Sequence, residues 1–344
     1  MSADAGGSRA SATEAGSTKL VIGASGFLGS HVTRQLVAAG ERVRVMLRHS
    51  SSTVAIDDLD VERCYGDVFN REALRRAMDG CDVVYYCVVD TRAWLRDPAP
   101  LFSTNLEGLR HVLDIAVDAD LLRFVFTSTV GTLANNAHRA VTESEGRNWS
   151  GGGPYIASRV AAEQLLLEFA REKGLPAVAL CVSTTYGPGD WAPTPHGRLV
   201  RQAALGRMLF YPDYSLEVVG VEDAARAMLL AAEHGRVGER YIVSDRYLPA
   251  REVYRIAAAA AGRRPPRLRI PMPILKLASR VNDIASRLLR TDLPLAYHAI
   301  QMVDLMSPLD HGKAVRELRW KPNPVDRSIH DAAQFFLRGI TDDS

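Results

Sequence analysis

The sequence predicts an α/β chain: a doubly wound parallel sheet with a smaller, mostly helical lobe toward the C-terminus. Three observations carry this. Short apolar runs alternate with segments of helical periodicity at a spacing that suits strand–helix–strand units. A glycine-rich turn, Gly23-x-x-Gly26-x-x-Gly29, joins the first run to the first periodic segment. After Gly187-Pro188-Gly189 the alternation gives way to short strands mixed with helices, punctuated by Pro271, Pro273, Pro294, Pro308 and Pro324.

The first 18 residues are small and polar, too poor in large apolar side chains to offset ordering, and are expected as a flexible tail. Lys19–Ile22 is the first strand and Phe27–Ala39 the first helix, closed by Gly40. Arg42–Leu47 and Val61–Tyr65 follow as strands and Arg71–Met78 as a helix. Asp82–Val89 is a continuous apolar run, as expected of a parallel strand buried on both faces. Leu101–Val117 reads as one helix, Arg123–Thr127 as a strand, Tyr155–Lys173 as a long helix stopped by Gly174, and Ala177–Val182 as another buried strand. Residues 19–188 are therefore assigned to the sheet domain and 189–338 to the lobe. Within the lobe, helices are expected at His196–Ala204 and Glu222–His234 and strands at Met208–Tyr211 and Leu216–Val219, with residues 240–245 returning to the sheet.

Composition narrows the function classes. A hydrophobic share of 47% with 24% charged residues is that of an ordinary globular chain. A net charge of +2 offers no general attraction to nucleic acid. The four cysteines, Cys64, Cys81, Cys87 and Cys181, show neither C-x-x-C nor Cys/His ligand spacing, so no structural metal is expected and a reduced, cytoplasmic setting is. No apolar stretch resembles a signal peptide or reaches the length of a membrane span.

The glycine turn has a physical job. The first glycine permits the tight turn, the second lets backbone approach a pyrophosphate, and the third lets helix and strand pack closely. The helix start then offers free N–H groups and partial positive charge to phosphates. Because the turn follows a strand and opens a helix, it reads as a dinucleotide site of the Rossmann type, with Gly23, Ser25, Gly26, Phe27, Leu28 and Gly29 around the phosphates. At the end of the second strand an acid would hold a ribose 2′-hydroxyl, whereas an arginine accommodates a 2′-phosphate. Here the residue is Arg48, followed by Ser50 and Ser51, so NADP is expected, with NAD the alternative. Asp67 and Val68, after the third strand, suit the adenine edge.

These residues resemble the extended short-chain dehydrogenase/reductase family of NAD-dependent epimerase/dehydratase type. The resemblance rests on VIGASGFLG (21–29), GDV (66–68), Asn105 in TNLEG, FVFTSTVGTL (124–133), PYIASR (154–159), YGPGD (186–190) and VVGVEDAARA (218–227). DTRAWLRDPAPLFSTNLEG (90–108) and GDWAPTPHGRLV (189–200) are most similar to the dihydroflavonol-reductase and hopanoid-associated sugar-epimerase branch. The resemblance implies a catalytic hydroxyl, tyrosine and lysine, which map to Thr129 (with Ser128 its neighbour), Tyr155 and position 159. Tyr155 is then the acid or base at a carbonyl or alcohol oxygen, and Thr129 the group that orients that oxygen. Position 159 departs from the pattern: it is Arg159, four residues from Tyr155 and so on one helix face, but a cation that cannot relay a proton. Val182 stands where relatives have proline.

Two regions remain. Arg92 and Trp94, with Asp90, follow the fourth strand on the edge where open α/β sheets bind ligands, so they are candidates for a substrate anion and ring. Tyr186 is a third candidate, Trp191 and His196 weaker ones. Residues 274–290 form a basic amphipathic helix, apolar at 274, 277, 278, 281, 284, 285 and 288, expected to pack over the substrate cleft, with a membrane surface as the alternative. The expected function is an NADP-dependent oxidoreductase interconverting carbonyl and alcohol on a small or lipid-like substrate. The alternatives are a sugar-nucleotide epimerase or dehydratase that recycles its cofactor, and a non-catalytic NADP(H) sensor, prompted by Arg159. A homodimer is a family-level expectation.

Overall fold

The computed structural model describes residues 17–136, 138–289, 291–292, 297–304 and 306–341. Most of the expected tail, residues 1–16, lies outside the described residues. The tail ends sooner than expected, because Thr18 already pairs with Arg42 and Cys81 in the central sheet.

Chain order in the first half is β1 (Thr18–Ile22), α1 (Phe27–Ala38), β2 (Arg42–Leu47), β3 (Glu62–Tyr65), α2 (Arg71–Met78), β4 (Cys81–Tyr86), α3 (Ala99–Phe102), α4 (Leu109–Ala116), β5 (Arg123–Thr129), α5 (Gly153–Lys173) and β6 (Ala177–Val182). The second half is β7 (Thr184–Tyr186), α6 (Pro195–Ala204), β8 (Phe210–Pro212), β9 (Ser215–Gly220), α7 (Val221–His234), β10 (Arg240–Val243), β11 (Arg246–Pro249), α8 (Ala250–Ala260), β12 (Leu268–Ile270), α9 (Met272–Leu289), α10 (Tyr297–Asp304), α11 (Gly312–Glu317) and α12 (Val325–Thr341). Seven strands form one sheet in the order β10-β6-β5-β4-β1-β2-β3, each pair parallel. The chain winds outward in both directions from β1, so the strand order reverses between β1 and β4, the position at whose carboxyl ends such sheets bind ligands.

Burial on both faces explains the apolar runs. Leu20, Ile22, Tyr86, Phe124 and Phe126 pack with α2, α4 and α5, while Val21, Val45, Val83, Val125 and Leu180 pack with α1 and α7 on the other side. Local signals set the ends: Asn70 caps α2 by accepting from the Ala73 N–H at 3.0 Å, and Gly174 closes α5 at φ 69°. β4 stops at Tyr86, short of the apolar run, once the Cys87 N–H has bonded the Ile22 carbonyl at 2.8 Å.

The helix expected over Leu101–Val117 is broken: Ser103–Gly108 winds as a π-helix between α3 and α4, and this places Asn105 in the interior. The lobe core joins β7, β9 and β11 to α6, α8 and α12. Residues 221–234 and 314–320, assigned by sequence to the lobe, pack instead into the sheet domain's core; the Trp320 indole N–H donates to the Asp223 carbonyl at 2.9 Å. Return of the chain across the sheet thus covers a face that consecutive elements leave open.

Candidate active site and cofactor cleft

Glycine at 23, 26 and 29 is demanded for different reasons. Gly23 has φ 93°, and a Cβ there would sit 2.9 Å from the Cys87 carbonyl carbon. A Cβ on Gly29 would lie 2.1 Å from the Gly23 carbonyl oxygen, so helix and strand close only around glycine. A Cβ on Gly26 meets only that oxygen, at 3.3 Å; its constraint is therefore not the protein's own packing. α1 begins here with no side-chain cap and no acid in its first turn, which leaves its N–H groups and dipole for an anion. His31 holds the turn against the lobe side, its Nε2 2.9 Å from the Pro188 carbonyl.

Arg48 stands just beyond β2, exposed. Its neighbour His49 stacks on Tyr65, ring centroids 5.0 Å apart. Gly66 is held beside β2 by its N–H to the Leu47 carbonyl, 2.9 Å, and the Asp67 carboxylate accepts the Phe69 N–H at 3.0 Å. Val68 is buried against Gly108.

Farther along the carboxyl edge of the sheet, β5 delivers Thr129 and α5 delivers Tyr155, close enough for the Thr129 hydroxyl to act on the phenol; that hydroxyl also accepts the Gly131 N–H at 3.3 Å. Burial pushes the Tyr155 phenol above its ordinary value; the Arg159 charge and the neighbouring Thr129 hydroxyl pull it back part of the way. Ser128, the neighbouring hydroxyl, is committed elsewhere: it donates to Glu163, which also accepts from Thr132 at 2.9 Å and pairs with Arg240 at 2.9 Å. Strand alternation explains the split, since consecutive side chains face opposite sides. Arg159 is 1% exposed, donates from Nη2 to the Thr127 carbonyl, and lies 5.1 Å over the Phe126 ring. Its Nε and Nη1 have no hydrogen-bond partner. Burial lowers its pKa, yet a guanidinium keeps its proton.

Glu163 is absent from the sequence-based expectations, and Asn105 enters them only as part of the family resemblance, without a role. Glu163 follows Tyr155 and Arg159 at the same four-residue interval, and that spacing was the signal available. Asn105 pins the loop after β4 to α5: its Oδ1 accepts the Asp90 N–H at 2.8 Å, and its Nδ2 donates to the Asp90 carbonyl and the Ser158 hydroxyl, both at 3.0 Å. Ser158 in turn donates to the Tyr155 carbonyl at 2.7 Å.

The substrate-side residues are not gathered as expected. Arg92 is already engaged, donating from Nε and Nη2 to the Asp90 carboxylate at 2.9 and 2.6 Å, so its charge is matched within the loop. Trp94 is half-buried, with the Arg198 guanidinium 6.0 Å from its ring. Tyr186 is 2% exposed and packs in the lobe core, because β7 turns it inward beside Leu216, Val218 and Tyr254. Trp191 packs edge-on against Phe335 at 4.8 Å, and burial lowers the His196 pKa to about 4.

Residues 19–244 match the NAD dependent epimerase/dehydratase family, nearly two-thirds of the chain. This chain belongs to that family. It is 30% identical over 328 residues to sterol demethylase protein B of Methylococcus capsulatus, covering 93% of this chain and 98% of the relative. It is 26% identical over 322 residues to a putative dihydroflavonol 4-reductase of Synechocystis, covering 92% and 93%. A UDP-glucose 4-epimerase of Thermus thermophilus, solved with NAD, superposes with a TM-score of 0.74 at 21% identity, covering 93% of this chain and 99% of that one, a likeness of fold. The family member described here is an NAD(P)-dependent enzyme of the short-chain dehydrogenase/reductase type. Among the described residues no helix is long and apolar enough to cross a membrane, and no group of His, Cys, Asp and Glu could hold a metal ion.

Proposed function

We propose that this chain is an NADP-dependent oxidoreductase that interconverts a ketone or aldehyde with its alcohol on a lipid-like substrate. The observation that carries the reading is the buried Tyr155 phenol with Thr129 beside it and Arg159 one helical turn away, on the same carboxyl edge of the sheet as the glycine turn. The α1 N-terminus at Gly26, Phe27, Leu28 and Gly29 would hold the dinucleotide's phosphates, and Arg48 would hold a 2′-phosphate. The unmatched Nε and Nη1 of Arg159 are donors that ribose hydroxyls would satisfy. A bound nicotinamide supplies or accepts the hydride.

The chain's residues do the rest. In the reductive direction Tyr155 gives its phenolic proton to the carbonyl oxygen, and Thr129 donates to the same oxygen and fixes its place. Arg159 favours the tyrosinate that remains but cannot accept a proton, so water returns the proton to Tyr155. The names of the Methylococcus and Synechocystis relatives, one concerned with a sterol and one a reductase, support a redox reaction on a bulky, apolar substrate. They also weigh against a cofactor sensor without turnover.

The test is NADPH consumption with a panel of apolar ketones and aldehydes. Turnover in the parent, lost by more than about a hundred-fold in Tyr155→Phe with NADPH binding unchanged, is the expected result. Sugar-nucleotide conversion without net NADPH consumption would point to the epimerase or dehydratase alternative, and parental rates in Tyr155→Phe would overturn the assignment of the proton donor.

A further inference from the structure

Helix α9 is turned the wrong way for a helix of a globular chain. Its packed side carries Leu275, Ser279 and Ser286, two of them small hydroxyls. Its apolar stripe faces outward: Ile274, Leu277, Val281, Ile284 and Leu288 are 59, 64, 59, 58 and 78% exposed. The expectation that this stripe packs over the substrate cleft is therefore overturned. At about 100° per residue the stripe covers roughly a third of the helix circumference. Lys276 and Arg280 lie on the adjoining flank, tied to Asp304 and to the Tyr297 hydroxyl of α10. α9 leaves β12 directly through Pro271, and the β12–β8 ribbon exposes three more apolar side chains, Leu209, Phe210 and Leu268, with Phe210 and Leu268 in register.

Charge says what covers this face. Between residues 263 and 290 eight Lys and Arg stand against the single Asp283, a formal +7 in a chain whose total is only +2. The rest of the molecule is therefore net acidic. Arg269 is matched by Asp213 and Lys276 by Asp304, which still leaves a formal excess of +5 beside the apolar stripe. Arg263, Arg264 and Arg267 are exposed there. An apolar stripe flanked by cations suits a surface that is apolar inside and anionic at its rim. A second copy would bring the same positive charge to the contact, and like charges across an interface repel.

We infer that α9, with the β8–β12 ribbon, docks on an anionic lipid bilayer, the stripe in the acyl boundary and the basic flank at the headgroups. The attachment is peripheral, and it does not depend on which substrate the enzyme takes. The test uses the full chain with vesicles of phosphatidylcholine alone or with about a third phosphatidylglycerol. Co-sedimentation at least about ten-fold stronger with the anionic vesicles, weakened by salt, is expected. Leu277→Glu combined with Val281→Glu abolishes it while leaving the melting temperature and NADPH turnover with a water-soluble ketone unchanged; Arg264→Gln with Arg267→Gln weakens it. Absence of binding to anionic vesicles, equal binding by the Leu277→Glu/Val281→Glu chain, or a parent dimer that those two substitutions split into monomers would each overturn the inference, the last by assigning the face to a second copy.

Discussion

Replacing Arg159 with methionine separates its two roles, because the structure gives a figure for each. Two of its buried donors reach nothing, and each unmet donor of this kind costs about 1–3 kcal/mol, or roughly 2–6 kcal/mol for the pair. Against this stand the bond from Nη2 to the Thr127 carbonyl, about 1.5–3 kcal/mol, and the contact over the Phe126 ring, about 0.5–2 kcal/mol. The two sides nearly cancel. Methionine keeps an unbranched stem in the same space, so the ligand-free Arg159→Met protein is expected to match the parent within about 2 kcal/mol or to exceed it. NADPH affinity behaves differently. If the free donors meet ribose hydroxyls, one charge-assisted bond of about 1.5–3 kcal/mol corresponds to a loss of roughly ten- to a hundred-fold. Urea unfolding with and without NADPH, together with a fluorescence titration, reads both quantities on one preparation. A ligand-free variant weakened by more than about 3 kcal/mol whose NADPH affinity is unchanged would refute the reasoning, since Arg159 would then be a structural group only.

Gly26→Val and Gly29→Ala should fail in different ways: the first folds but loses NADPH binding, while the second, with a Cβ 2.1 Å from a backbone oxygen, destabilises the fold itself by about 1–3 kcal/mol or more. Thermal melts with a cofactor titration check this, and equal melting temperatures would contradict it. Arg48→Ala should erase most of a preference for NADPH over NADH, about 1.5–3 kcal/mol, and a parent that binds both equally would remove its basis. Burial lowers the His196 pKa from 6.5 to about 4, so between those values the unfolded chain takes up a proton that the folded chain refuses. Stability then falls as pH drops from 6.5 toward 4 and this contribution levels off below, by at most about 3 kcal/mol and less for a ring that is partly exposed. His196→Gln should flatten part of that slope in urea unfolding, and an unchanged slope would assign it to other groups such as His31, whose pKa burial also lowers.

How much was legible in the residues differs from one part of the chain to another. Strands buried on both faces announce themselves as apolar runs, so β1, β2, β5, β6 and β10 were readable within a residue or two. The glycine turn was readable because backbone conformation and close approach restrict residue type at a fixed spacing. β7, β11 and β12 were not, since three or four residues at a lobe's edge carry no period. The π-helical turn that buries Asn105 leaves a pattern that reads as ordinary α-helix. Spacing alone puts Tyr155 and Arg159 on one helix face, and Glu163 continues that face, but its meaning comes from Ser128 and Arg240 on other strands.

By itself the sequence determined the doubly wound sheet, the dinucleotide turn, the cation at position 48 and the tyrosine that opens α5. The strands, the turn and the cation follow from residue type and spacing along short segments, and the role of the tyrosine from the family resemblance. Only the tertiary structure decided which of two adjacent hydroxyls faces Tyr155, that Arg92 is matched by Asp90, that Tyr186 is buried, and that the apolar face of α9 looks outward. Those outcomes depend on which surface of an element meets another one, and an amphipathic pattern states that a helix has two faces without stating which of them the fold covers.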